Sequence, residues 1–174
     1  MKHLPKPPVS KRFCLQGLCA AVSIALLLLA LGARAESGPF AGLAGHWSGA
    51  GTISLGNGTR ERIRCRAQYS VDSDGSHLQQ SLRCASDSYR FDLTSDVMSQ
   101  GGSQISGTWN EASRNMSGMI AGNARPGQFQ VIVTSPSFSA NLTLSTHGDR
   151  QSVEISAPPG GQFTGVSITL ARGK

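Results

Sequence analysis

Between Arg62 and Val71 the chain alternates with period two. Ile63, Cys65, Ala67, Tyr69 and Val71 are interleaved with Arg62, Arg64, Arg66, Gln68 and Ser70. Such a run has one face on a core and the other in water, and the only regular backbone that does this is a β-strand. The turn pair Asp74-Gly75 separates it from a second strand-like run, His77–Ala85. A hairpin centred between Asp74 and Gly75 sets Val71 against Leu78, Ala67 against Leu82 and Cys65 against Cys84. The turn chemistry and the cysteine positions therefore demand the same register. A two-residue loop would make the cysteines a hydrogen-bonded pair with Cα atoms about 5.5 Å apart; a four-residue loop, Ser73 to Ser76, makes them a non-hydrogen-bonded pair at about 4.5 Å. A disulfide needs Cβ atoms only about 3.8 Å apart, which favours the four-residue loop. The bridge closes a loop of about 20 residues and contributes roughly 3 kcal/mol.

The same rhythm continues to the end of the chain. Ten candidate strands follow one another: His46–Leu55, Thr59–Val71, His77–Ala85, Tyr89–Val97, Gln104–Asn110, Asn115–Ala121, Phe129–Thr134, Ser137–Thr146, Gln151–Ser156 and Thr164–Ala171. Turn clusters separate them, among them Gly56-Asn57-Gly58, Gly101-Gly102, Pro126-Gly127, Gly148-Asp149 and Pro158-Pro159-Gly160-Gly161. Connections this short join antiparallel neighbours, and no helical periodicity interrupts them. The predicted fold is all-β: an antiparallel up-and-down meander of about ten strands closing into a small barrel.

Residues 1–35 read differently. Lys2, Lys6, Lys11 and Arg12 precede an apolar run, and Ala33-Arg34-Ala35 is a small-x-small cleavage site, so this segment is expected to be a signal peptide. Its strictly apolar stretch, Ile24 to Leu31, is short against the roughly 20 residues of a bilayer span, so no transmembrane anchor is expected after cleavage. Cys14 and Cys19 leave with it. Residues 36–174 then form one domain, placed in the periplasm or secreted, where Cys65 and Cys84 meet an oxidising compartment. Five of the sixteen basic residues and none of the ten acidic residues precede position 36, leaving eleven against ten. A nearly neutral domain carries no global pull on nucleic acid, and no nucleic-acid partner is expected. The basic charge is concentrated instead. Arg60, Arg62, Arg64 and Arg66 share the outward face of one strand, and the hairpin register sets Arg66 against Arg83 and Arg62 against Asp87. Either this is a solvated face, or Arg62, Arg64, Arg66 and Arg83 form an anion stripe for an acidic envelope partner.

A closed meander needs a plug at its end. Trp47, flanked by Gly45 and Gly49 at the start of the first strand, has the bulk for it and an N–H that a backbone carbonyl can accept. Gly45-His46-Trp47 resembles the G-x-W signature of calycin barrels, which include lipocalins, and Gly45-His46-Trp47-Ser48-Gly49-Ala50-Gly51 is similar to the opening strand of nitrobindin-like barrels. The resemblance covers about nine residues, Leu43 to Gly51. It implies a structural, barrel-closing role for Trp47 and Gly45. Two departures limit it. Lipocalins carry a helix before the last strand, and none is read here. Nitrobindin-like barrels bind haem through a histidine near the C-terminus, and the nearest candidate, His147, sits in a turn outside a barrel, so no cofactor is expected. A second Gly107-Thr108-Trp109 is either an echo of the first motif or another inward Trp; in both cases Trp109 should be buried.

Nothing in the chain assembles as a catalytic constellation. No G-x-S-x-G elbow is present, the cysteines are expected to be oxidised, and His46, His77 and His147 lack metal-ligand spacing. Asp92 and Asp96 share outward parity, and Glu111 reads as a turn residue after Trp109-Asn110. The protein is expected not to be an enzyme. The inward residues Tyr69, Leu82, Phe91, Trp109 and Phe138 are candidates for a pocket taking a small apolar or amphipathic ligand. The alternative is a filled barrel acting as an interaction protein through its Arg-rich face.

Overall fold

The computed structural model describes residues 37–173. The signal-peptide reading, with Cys14 and Cys19, lies outside them. Ten strands run in chain order: β1 (Gly45–Leu55), β2 (Arg60–Val71), β3 (His77–Ala85), β4 (Arg90–Gly101), β5 (Gln104–Glu111), β6 (Met116–Arg125), β7 (Gln128–Thr134), β8 (Ser139–His147), β9 (Arg150–Ser156) and β10 (Phe163–Arg172). Each is antiparallel to the next, and β1 pairs with β10, closing the barrel. Among the described residues there is no helix. β4 and β6 each run four residues further than their sequence patterns indicate, to Gly101 and Arg125. Their ends, Ser99-Gln100 and Gly122-Asn123, conceal the alternation, but the ladder to β5 holds them extended.

The β2–β3 hairpin has the expected register. Cys65 faces Cys84, Ala67 faces Leu82 and Val71 faces Leu78. Asp72 N–H donates to the His77 carbonyl at 3.2 Å, which leaves Ser73 to Ser76 as a four-residue loop. The Asp72 carboxylate accepts from the Ser76 and His77 amides at 2.8 and 3.0 Å, and Gly75 takes a positive φ of 75°. Counting back from the bonded pair Asp72–His77, the cysteines fall on a non-hydrogen-bonded pair. They are joined by a disulfide with Cα atoms 4.1 Å apart. The expected Arg62–Asp87 pair is corrected. The β2–β3 ladder ends at Arg64–Ala85, and the chain then turns through Ser86–Tyr89, where Ser86 N–H donates to the Tyr89 carbonyl, so Asp87 lies in a loop.

One end of the barrel is closed, and Trp47 is part of the closure. It is 1% exposed, and its Nε1 donates to the Leu43 carbonyl at 2.9 Å. The Arg172 guanidinium lies 4.2 Å above its ring, and Tyr69 meets it edge-on at 6.3 Å. Arg172 also donates to the Ala44 and Gly42 carbonyls and to Asp149, tying the strand entry to the end of β10. Gly45 has a φ of 120°, which is strained for any residue with a side chain. Gly49 and Gly51 face inward where β10 crosses so closely that a Cβ would stand 1.9 and 1.8 Å from the Thr169 and Ser167 carbonyl oxygens. The glycines of the opening motif thus permit the tight coiling that a small barrel needs.

The rest of the plug is the segment before β1. Phe40, fully buried, stacks on Phe129 with centroids 5.8 Å apart, and Leu43 is buried beside it. Gly38 and Phe40 donate to the Asp74 and Gly75 carbonyls at 2.7 and 3.1 Å, strapping the segment to the β2–β3 loop.

Candidate functional site

The interior is not packed uniformly. Along β10, β1 and β2 the inward side chains Val166, Ile168, Leu170, Ile53, Ile63, Cys65 and Ala67 are buried. Along β6 to β9 the inward side chains Ile120, Val133, Leu142, Leu144, Val153 and Ile155 pack on this core yet stay half-exposed. They alternate with mostly more exposed neighbours, so they point into the barrel. The registers make them one surface. Ile120 faces Val133, Leu142 faces both Val131 and Ile155, and Leu144 faces both Phe129 and Val153. Ten strands enclose more width than the eight whose side chains just fill a barrel, so an uncovered inner wall is the expected consequence of the strand number.

At the end opposite Trp47 the lumen is rimmed by aromatic rings. Tyr89 packs on Phe91 with centroids 4.9 Å apart, Phe91 on Phe163 at 6.1 Å, Phe163 on Phe138 at 6.4 Å, and Phe138 on Trp109 at 5.8 Å. Trp109 is anchored by Nε1 donating to the Thr134 carbonyl at 3.1 Å. The other four rings are half-exposed. Arg114 lies over this rim, 4.3 Å from the Tyr89 ring centre and 5.2 Å from that of Phe91. Its Nη1 donates to the Arg90 carbonyl at 2.8 Å and stands 3.5 Å from Glu111. The Tyr89 hydroxyl donates to Gln162 at 2.6 Å, linking the β3–β4 loop to the approach to β10. Burial raises the Tyr89 phenol above its ordinary value, with Arg114 opposing.

Glu111, read as a turn residue, ends β5 where the chain enters the β5–β6 turn, and its carboxylate is buried: it is 4% exposed. It accepts from the Asp92 amide at 2.9 Å, the Ser113 amide at 3.2 Å and the Arg114 amide at 2.9 Å, and from the Ser113 hydroxyl. Burial alone would raise its pKa, but these donors outweigh it and hold the carboxyl below its ordinary range. Its role is to shape the β5–β6 turn and so set Arg114 at the rim. Asn115, in the same turn, is the one non-glycine residue with positive φ among the described residues, at 53°.

Of the candidate pocket residues, Leu82 and Phe91 lie half-buried on the inner wall, and Trp109 and Phe138 stand in the rim. Tyr69 stands apart from them at the closed end. Its hydroxyl donates to Gln151 at 2.8 Å, Gln151 donates on to Thr146 at 3.2 Å, and burial pushes the phenol well above its usual value. Trp109 is 5% exposed, as expected, but it occupies the rim while Trp47 occupies the closed end, so the two Gly-x-Trp stretches are not equivalent positions of a repeat. The arginines Arg62, Arg64, Arg66 and Arg83 are exposed on the outer wall, Arg66 directly opposite Arg83. His147 is exposed, 3.2 Å from the Ser145 hydroxyl, and no cluster of metal-ligating side chains occurs among the described residues.

Sequence reasoning did not find Phe40, Arg114, Phe163 or the Tyr89–Gln162 link as site residues. Phe40 lies in a segment without period, and Arg114 is a single arginine in a turn. Their importance comes from contacts across 24 to 89 positions of chain, between Arg114 and Arg90 and between Phe40 and Phe129, which no local pattern encodes.

Among solved structures the barrel is similar to an S-type phycobiliprotein lyase from Guillardia theta, with a TM-score of 0.52 at 11% identity, covering 75% of this chain and 88% of that one. At that identity the likeness is one of fold, and it agrees with a calycin-like barrel. No family profile matches the chain, and no curated protein matches it in sequence.

Proposed function

We propose that the protein is an exported barrel that binds a small apolar or amphipathic ligand in its lumen. The observation that carries the reading is the half-exposed apolar inner wall of Ile120, Val133, Leu142, Leu144, Val153 and Ile155 beneath a rim of aromatic rings. Binding sites for small molecules are mostly apolar concavities with a few polar groups that fix orientation. Here Arg114, Tyr89 and Gln162 are the polar groups at the rim. A planar or conjugated body would gain most from the rings, because stacked and edge-on contacts add to simple burial. The filled-barrel alternative is weaker, since packed interiors leave few voids and would not leave six inward side chains half-exposed.

We read the protein as a binder and not a catalyst. Glu111, the buried carboxylate among the described residues, already accepts from four donors, which leaves little basicity for proton abstraction. Export rests on the charged start, the apolar run and the Ala33-Arg34-Ala35 site, and a disulfide between Cys65 and Cys84 suits the compartment it leads to.

Native mass spectrometry of the protein purified from its host is the direct test. A retained small molecule that is lost on denaturation is the expected result. A bare mass, together with no displacement-sensitive uptake of the fluorescent probe anilinonaphthalene sulfonate, would overturn the reading.

A further inference from the structure

Six of the ten arginines among the described residues, Arg60, Arg62, Arg64, Arg66, Arg83 and Arg90, stand on the outer wall of β2, β3 and β4, all exposed. The registers place them as neighbours. Arg66 faces Arg83, and Ala85 faces both Arg64 and Arg90. Arg64, Arg66, Arg83 and Arg90 line one hollow together with Asp92 and the short residues Ser48, Ala50 and Ala85. Arg83 has a carboxylate partner, Asp92 at 3.4 Å; the other five have none within 4.0 Å among the described residues. Like charges directly opposite each other across a strand pair destabilise it unless an anion lies between them. This is a separate face from the lumen, and it is as charged as the lumen wall is apolar.

We propose that this groove is a binding surface for a linear anionic polysaccharide. Arginine forks engage carboxylate and sulfate groups through paired hydrogen bonds. The β2 arginines recur about every 6.7 Å along the strand, twice the residue rise, which suits a chain of repeated charges more than a single ion. The small lining residues let a flat polymer lie close, with the Ser48 hydroxyl beside it for neutral sugar hydroxyls. Other polyanions fit less well. No aromatic ring is exposed on this outer face to stack with nucleobases. The large exposed apolar side chains, Met98, Met119 and Ile132, lie on the base end of β4 and on β6 and β7, leaving no apolar anchor beside Arg64 and Arg90 for a bilayer or a protein hot spot.

The test is a titration of the full chain with heparin and with alginate across a range of salt concentrations, set beside oligo-dT and phosphatidylglycerol vesicles. Saturable binding to heparin or alginate that weakens steeply with salt is expected. R64Q/R66Q should weaken it about tenfold or more at low salt and lower the salt slope by about two. R83Q/R90Q removes the opposite wall of the same groove and should act alike. R125Q/R150Q, two exposed arginines away from the groove, should leave binding unchanged. Absence of saturable binding at low salt, equal weakening by R125Q/R150Q, or tighter binding to oligo-dT or the vesicles would overturn the proposal.

Discussion

Trp47 illustrates how much a single side chain can be asked to do. It fills the closed end, its N–H is satisfied by Leu43, and its ring face is covered by Arg172. Trp47→Ala removes all three contacts and is expected to cost about 3–5 kcal/mol in urea unfolding. Trp47→Phe keeps most of the bulk but leaves the Leu43 carbonyl without its donor, and a loss of about 1–2 kcal/mol is expected. Glu111 makes a pH-dependent contribution. Its carboxyl lies below the ordinary value of 4.5 in the folded state, so the unfolded chain binds the proton more readily. The stabilisation is therefore complete above about pH 4.5 and is lost as pH falls through the lower folded value. Asp96, lowered by its bonds to His77 and Gln79, acts in the same direction. Glu111→Gln should flatten the acid limb of a stability–pH profile measured by thermal melts, and wild type should retain the steeper fall.

The β2–β3 hairpin is the element whose structure follows most directly from its residues. Alternation chose the faces, Asp74-Gly75 chose the turn, and the cysteines confirmed the pairing to within one residue. C65S/C84S should lower stability by roughly 3 kcal/mol, because the bridge closes 19 positions of chain, and reducing agent should lower wild type by the same amount. The hairpin register itself should survive, since Ile63, Ala67 and Tyr69 still face the core; amide exchange protection along β2 reads this out. The β5–β6 turn is the contrary case. Glu111, Ser113 and Arg114 look like ordinary loop residues in sequence, yet their hydrogen bonds bury a carboxylate and aim a guanidinium over two rings. Asp92 lends its amide to Glu111 from β4, a partner 19 positions away.

For the whole molecule, the open question of a filled or hollow barrel becomes one of packing density. Leu142 stands mid-wall on β8, facing Val131 and Ile155. In a hollow barrel Leu142→Trp has room and should shift the unfolding free energy by less than about 1.5 kcal/mol, while abolishing ligand uptake; in a filled one it would overpack and cost about 1–3 kcal/mol. Denaturation and probe binding, measured on the same variant, separate the two.

Strand number, antiparallel order, the disulfide and the burial of both tryptophans were legible in the chain, because period-two alternation, turn residues and paired cysteines are local signals whose physics acts over a few residues. Which inward side chains are fully covered and which stay half-buried was decided only by closure, since that depends on how β6 to β9 stand against β10, β1 and β2 across the barrel. The same holds for Phe40 as a plug, for the ring of aromatics gathered from four separate stretches of chain, and for Glu111 and Arg114. Local pattern states which way a side chain points; only the tertiary structure brings what it meets from elsewhere in the chain.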